Sequence, residues 1–204
     1  MFVNTIDKDA GAANGLAVRV NTLAFMPMIG IGIAVSVLVG RYLTSGRPEL
    51  ARTVTWSGAK LCFAYMVVVA LLFAFVPEVF IGLYRVGQEA TESVAEPEAF
   101  STVADKARVL LKFLALISLI DTGNIIFSGA LRGAGDTRFV ALTAMTASAL
   151  VLVIPSYILV VRMESLYAGW GCVSAYITVL AVVYFLRFRG GRWLSMRVIE
   201  EEGE

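Results

Sequence analysis

Charges fall along this chain in clusters, and between the clusters lie five long stretches that are apolar almost throughout. Four of them, 20–40, 61–77, 139–161 and 165–186, carry no charge, and a fifth, 113–131, carries only Asp121. Each is 17 to 23 residues long, and a helix needs about 20 apolar residues to cross the hydrocarbon core of a bilayer. The shortest, 61–77, extends back through 53–59 across Lys60, whose long side chain can snorkel to the interface. The pattern predicts an all-α membrane protein, a bundle of five transmembrane helices. It divides the chain into an outside segment (1–19), a five-helix transmembrane domain (20–187) and a cytoplasmic tail (188–204). A cleaved signal peptide does not fit the start. Residues 1–15 hold Asp7, Lys8 and Asp9 with no apolar core, and the first run is too long and lacks a small-residue cleavage site.

Composition agrees with the pattern. Of 204 residues 58% are hydrophobic and 16% charged, whereas a soluble domain carries roughly 25% charged residues. The 17 Lys and Arg nearly cancel the 16 Asp and Glu, so no electrostatic case exists for nucleic acid as a partner. The partner that composition points to is the lipid bilayer. The chain has no His, hence neither the commonest general base nor the commonest metal ligand. With no Ser/Lys pair and no second acid inside the runs, it reads as a non-enzyme. Cys62 and Cys172 fall at opposite membrane depths, too far apart for a disulfide, and read as small buried hydrophobes.

Basic residues set an orientation. With the start outside, the inner segments 41–60, 132–138 and 187–204 hold 10 Lys and Arg against 7 in the outer ones, which follows the positive-inside rule. The N-terminus is then outside and the C-terminus cytoplasmic. An outside start and an odd span count make the chain read like the later part of something longer. Among the connections, Gly46 suits a helix end and Pro48 a first helical turn. The 78–108 stretch reads as a solvated acidic loop with an amphipathic lead-in to the third span, and the glutamates after residue 199 as a disordered tail. Pro27 and Pro155 lie inside spans, where each removes a backbone donor and is expected to bend its helix. Gly30 and Gly32 follow the first of them, suggesting either close packing or a hinge.

The third span carries the sharpest chemical signal. Asp121 lies near its middle, about 13 Å of helix from either end. An ionised carboxylate there costs roughly 2.5–3.5 kcal/mol on insertion scales, so it must face protein or water. It either keeps its proton or binds a cation, and hard oxygen donors suit H⁺ or an alkali cation rather than zinc or copper. Asn124 and Ser128, at i+3 and i+7, continue one polar stripe toward the inner end. There the chain reads Phe127-Ser-Gly-Ala-Leu-Arg-Gly-Ala-Gly-Asp-Thr-Arg-Phe139. Gly133 and Gly135 are expected to stop the helix, and Asp136 to cap the next one. No Gly-Lys-Ser/Thr follows, so this is not a phosphate-binding loop.

The segment Ser128–Arg138, with Gly129, Leu131, Arg132, Gly133, Gly135, Asp136, Thr137 and Arg138, resembles the signature of the multidrug and toxic compound extrusion (MATE) family. Three more stretches are similar in the same order: Asn21–Gly40, Arg47–Ala51 and Arg189–Ile199. The resemblance implies helices 8 to 12 of a twelve-helix, two-lobe transporter, with helix 7 and the first lobe outside this chain. It implies antiport of small organic, often cationic, compounds across a bacterial inner membrane, driven by Na⁺ or H⁺ and with no other cofactor. Asp121, with Asn124, falls where related transporters carry a coupling-cation acid. Ile117 stands where sodium-driven members have Tyr, and their partner acid on helix 7 has no counterpart here, so both couplings stay open. As a partial transporter the chain could be a truncated product, a mispredicted start, or one half of a pair with a separate N-terminal lobe. Two rivals remain: a lipid-linked flippase of related architecture and a non-transporting membrane scaffold.

Overall fold

The computed structural model describes residues 8–76, 97–157 and 166–195, together with Gly82. Nearly all of these are helical, with no strand among them. In chain order they form α1 (Lys8–Thr44), α2 (Pro48–Phe75), α3 (Pro97–Gly133), α4 (Thr137–Ala147) continued by a π-helical turn (Ser148–Val153), α5 (Leu166–Arg189) and a 3₁₀ turn (Arg192–Ser195). Five stretches are long and apolar enough to cross a membrane: Val18–Thr44, Pro48–Phe75, Leu111–Gly133, Thr137–Tyr157 and Gly171–Arg189. All five expected runs overlap them. The second span starts earlier than its uncharged run, because Arg52 and Lys60 sit on exposed positions of α2 and need not interrupt it. Helix α1 starts at Lys8, well before its apolar run begins. The acidic stretch 83–96 and the tail from 196 lie outside the described residues.

Three helices end by the same device. Gly46, Gly135 and Gly191 adopt φ of 68°, 88° and 73°, a left-handed conformation that glycine enters without steric cost. After α1, the Arg47 amide donates to the Tyr42 carbonyl at 2.8 Å; after α3, the Asp136 amide donates to Leu131 at 3.0 Å. Both bonds satisfy carbonyls that the helix end would orphan. Pro48 then occupies the first turn of α2, with Glu49 beside it. Pro27 lies inside α1, which runs on through it. At Pro155 the disturbance takes another form. The π turn Ser148–Val153 precedes it, with the Ile154 amide reaching back to Ala149, so the ladder is already shifted where the ring would crowd the preceding carbonyls.

Helix α3 is the centre of the bundle. In its most apolar stretch 61% of residues are buried, against 28% or less in each of the other spans. It packs on α1, α2 and α5, while α4 and its π turn rest mainly on α5. Contacts between α1 and α3 advance together along both helices, from Asn21 with Ser118 to Met28 with Thr122 and Gly32 with Gly129, so the two run parallel. Trp56 on α2, Phe127 on α3, and Phe185 and Phe188 on α5 form an aromatic cluster with centroids 5.1–6.4 Å apart, edge-to-face except for the tilted pair Phe127–Phe188. Trp193 stacks on Phe188 at 4.9 Å and donates its indole N–H to the Phe188 carbonyl. Such pairs contribute beyond their buried area.

Tyr184 ties α5 to α4 by donating its hydroxyl to the Val140 carbonyl at 2.9 Å in a buried setting. Tyr184→Phe keeps the ring and removes the bond, and should cost about 1 kcal/mol. A thermal melt of the detergent-solubilised protein checks this. An unshifted midpoint would show that the hydroxyl contributes nothing.

Candidate functional site

The carboxylate of Asp121 is half-buried on α3. Its Oδ1 accepts a 2.8 Å bond from the Asn124 amide one turn on, as the i+3 spacing in the sequence anticipates. The pair lies between two faces of α3. On one side Ser118, Thr122, Ile125 and Gly129 meet α1; on the other Phe113, Leu116 and Ile120 are exposed. Ser128, the third member of the expected stripe, is buried and donates to the Ile125 carbonyl at 3.2 Å. Arg132 folds back to reach the Ser128 carbonyl and Oγ at 3.3 and 3.4 Å.

Several polar groups at this depth escaped the sequence reading. Ser118 Oγ donates to Asn21 Oδ1 of α1 at 3.2 Å, Thr122 Oγ1 to Met28 Sδ at 3.5 Å, and Tyr65 of α2 to the Ala24 carbonyl at 3.0 Å. The signal for Ser118 was present, because it stands one turn before Asp121 as Asn124 stands one turn after it. Among the described residues no group of three or more His, Cys, Asp or Glu could hold a metal ion. From the described residues, a cation at Asp121 would draw its remaining ligands from neutral oxygens.

The glycine-rich signature segment forms a second locus, about 12 Å along the helix from Asp121 at Gly129. Its glycines have different tasks. A methyl on Gly129 would sit 2.7 Å from the Gly32 carbonyl, and one on Gly133 would overlap the Ser36 carbonyl. Gly133 is thus a close-packing residue and the last residue of α3, while Gly135 alone makes the left-handed turn. Likewise, Gly32 packs tightly and Gly30 meets nothing. Leu131 is fully buried, and Thr137 and Arg138 are exposed at the start of α4.

Asp136 corrects one expectation. It holds the N-cap position of α4, but its side chain makes no capping bond. Its Oδ2 instead accepts from Arg187 Nε of α5 at 2.8 Å, and the Arg187 guanidinium lies over the Phe139 ring at 4.5 Å. A charged donor holds a carboxylate more strongly than a backbone amide does.

Comparison with known proteins gives this arrangement its relatives. A family model described as MatE matches residues 1–158. The chain is 29% identical over 145 residues to a "Probable multidrug resistance protein NorM" of Brucella suis biovar 1 (strain 1330), covering 71% of this chain and 29% of that protein. It is 32% identical over 144 residues to the "Multidrug resistance protein NorM" of Burkholderia vietnamiensis, with the same coverage of each. A "Probable multidrug resistance protein NorM" of Thermotoga maritima (strain ATCC 43589 / DSM 3109 / JCM 10099 / NBRC 100826 / MSB8) is 26% identical over 218 aligned positions, 99% of this chain and 42% of that protein. The chain thus spans less than half the length of these relatives. With five membrane-length helices and a family match over more than three quarters of its residues, it is a multi-pass membrane protein that belongs to the MatE family.

Proposed function

We propose that this chain is part of a multidrug exporter in which Asp121, steadied by Asn124, takes the coupling cation while organic, often cationic, compounds leave the cell. The observation that carries the reading is the MatE match, which includes Asp121, the one acid in the five apolar runs. Its place supports the role. A carboxylate bordering an exposed apolar face at mid-span would be costly against lipid, so this edge of α3 is read as facing a water-filled cavity or a further part of the transporter. Cation binding there would favour one packing of the helices and the exported compound another. Each ligand shifts the balance by its differential affinity for the two states. The basic ends of α1, α3 and α5 are placed in the cytoplasm, with the chain start outside. A second lobe would supply the surface against which this one moves.

The test is Asp121→Asn, which removes the charge and keeps the shape. In cells expressing the transporter, the variant should accumulate a fluorescent lipophilic cation such as ethidium to the level of cells lacking the protein. Export unchanged from wild type would sink the assignment of Asp121.

A further inference from the structure

We infer that the furrow between α2 and α5 holds an anionic phospholipid, its headgroup gripped by Arg52, Lys60 and Arg189 and one acyl chain lying over Trp56. The inference is independent of the role of Asp121.

Helices α2 and α5 both pack on α3 but scarcely approach one another. The Trp56 ring spans the gap, edge-to-face against Phe185 and Phe188 of α5 and against Phe127 of α3. It is 40% exposed, so it floors an open furrow rather than closing a core. Further in, Phe63 on α2 and Val182 on α5 are exposed as well, and they continue the apolar surface along which a chain can lie.

Charge surrounds this floor. Arg52 and Lys60 stand one turn to either side of Trp56 on α2, and Arg189 one turn beyond Phe185 on α5. Residues at that spacing share a helix face. Helix α2 begins at the end of the bundle where α5 finishes, so Arg52 and Arg189 come to the same end. All three basic residues are exposed, and none pairs with an acid among the described residues. Glu49 lies a further turn out, in the first turn of α2, where an acid complements the helix dipole.

Lys60 is the residue that most needs a partner. It lies 12 positions past Pro48, about 18 Å along α2, where a charge facing lipid is costly. Its long stem can carry the ammonium back past Trp56 toward Arg52, which brings it to a second cation. Like charges gathered at a membrane surface call for an anion, and an exposed apolar floor beside them calls for an anion with a tail. A phospholipid phosphate with its acyl chains is both. Held from two sides, the headgroup ties together helices that otherwise meet chiefly through one ring.

The experiment is tryptophan quenching in the purified full chain, reconstituted in phosphatidylcholine bilayers that carry equal mole fractions of either brominated phosphatidylglycerol or brominated phosphatidylcholine. The signal of Trp56 is the difference between wild type and Trp56→Phe. The brominated phosphatidylglycerol should quench it more strongly, and Arg52→Gln, Lys60→Gln and Arg189→Gln should each lower that preference about fivefold. Lys60→Arg should keep it. So should Arg41→Gln, which removes a cation from the last turn of α1, a helix that meets α2 through Gly58 and not at the furrow. Size-exclusion elution and melting midpoint establish that each variant is folded. Native mass spectrometry of bound phosphatidylglycerol reads the charge variants without recourse to Trp56→Phe. Equal quenching of wild type by the two lipids overturns the inference. So does a loss in Arg41→Gln as large as in Lys60→Gln, because general attraction to a basic end predicts that result. Failure of either lipid to quench Trp56 also overturns it, since protein and not lipid then covers the furrow.

Discussion

Gly133→Ala should cost the protein about 3 kcal/mol or more, the upper end of the range for overpacking, and much of the expressed chain should fail to reach a monodisperse state. The reason is what the added methyl would meet. At Gly133 it overlaps the carbonyl of Ser36, and the Gly133 carbonyl itself lies 3.0 Å from where a methyl on Gly40 would be. These are backbone atoms of two long helices, so no side chain can rotate aside. Either the helices separate along the whole contact or α3 unwinds at its end. Gly30→Ala supplies the contrast, since its methyl would find nothing within 4 Å. There the better helix propensity of alanine should leave stability unchanged or raise it by up to about 1 kcal/mol. Melting midpoints and size-exclusion profiles of the two variants decide the matter. Equal behaviour would mean that α1 and α3 do not approach as closely as described.

Asp136→Ala is expected to be the next most damaging substitution. It leaves Arg187 charged, with the face of Phe139 beside it. The Asp136 side chain is 8% exposed and that of Arg187 21%. The loss should be about 2–3 kcal/mol, below the 3–5 kcal/mol of a fully buried pair, because solvent screens part of the stranded charge. Asp136→Asn keeps an oxygen for the Arg187 Nε–H and should lose less. Adding Arg187→Gln to Asp136→Ala should recover part of that loss, since the stranded charge is then gone. Urea or thermal unfolding of the set measures this directly. Failure of the second change to rescue would place the cost elsewhere than in the ion pair.

What could be read in the sequence followed from strong local rules. Five apolar runs between charges gave five spans, and a carboxylate amid one of them marked the helix that proves to be central. Gly46 and Pro48 announced a turn because few residues serve in those places. What could not be read depends on contacts between distant segments. The same residue type serves as a turn at Gly135 and as a packing surface at Gly133, and only the position of Ser36 separates the two. Asp136 looked like a cap because its competitor, Arg187, lies 51 residues away. The partner of Asn21, Ser118, lies 97 residues away, and nothing local to either residue announces the bond. The π turn before Pro155 is a shift in the hydrogen-bond ladder that leaves no compositional mark.

The contact between α1 and α3 also governs the order in which the molecule can be assembled. Asn21 and Ser118 are separated by 97 residues, as are Gly32 and Gly129. At typical rates of synthesis the second helix of each pair emerges roughly 5–20 s after the first. Through that interval the glycine face of α1 and the amide side chain of Asn21 wait for α3. Helix α2, made in between, can cover only the side bearing Val35, where Gly58 meets it. Arrival of α3 is therefore the step that joins α1 to its main partner in this bundle, and the ribosome, by setting that delay, sets how long α1 must wait for it.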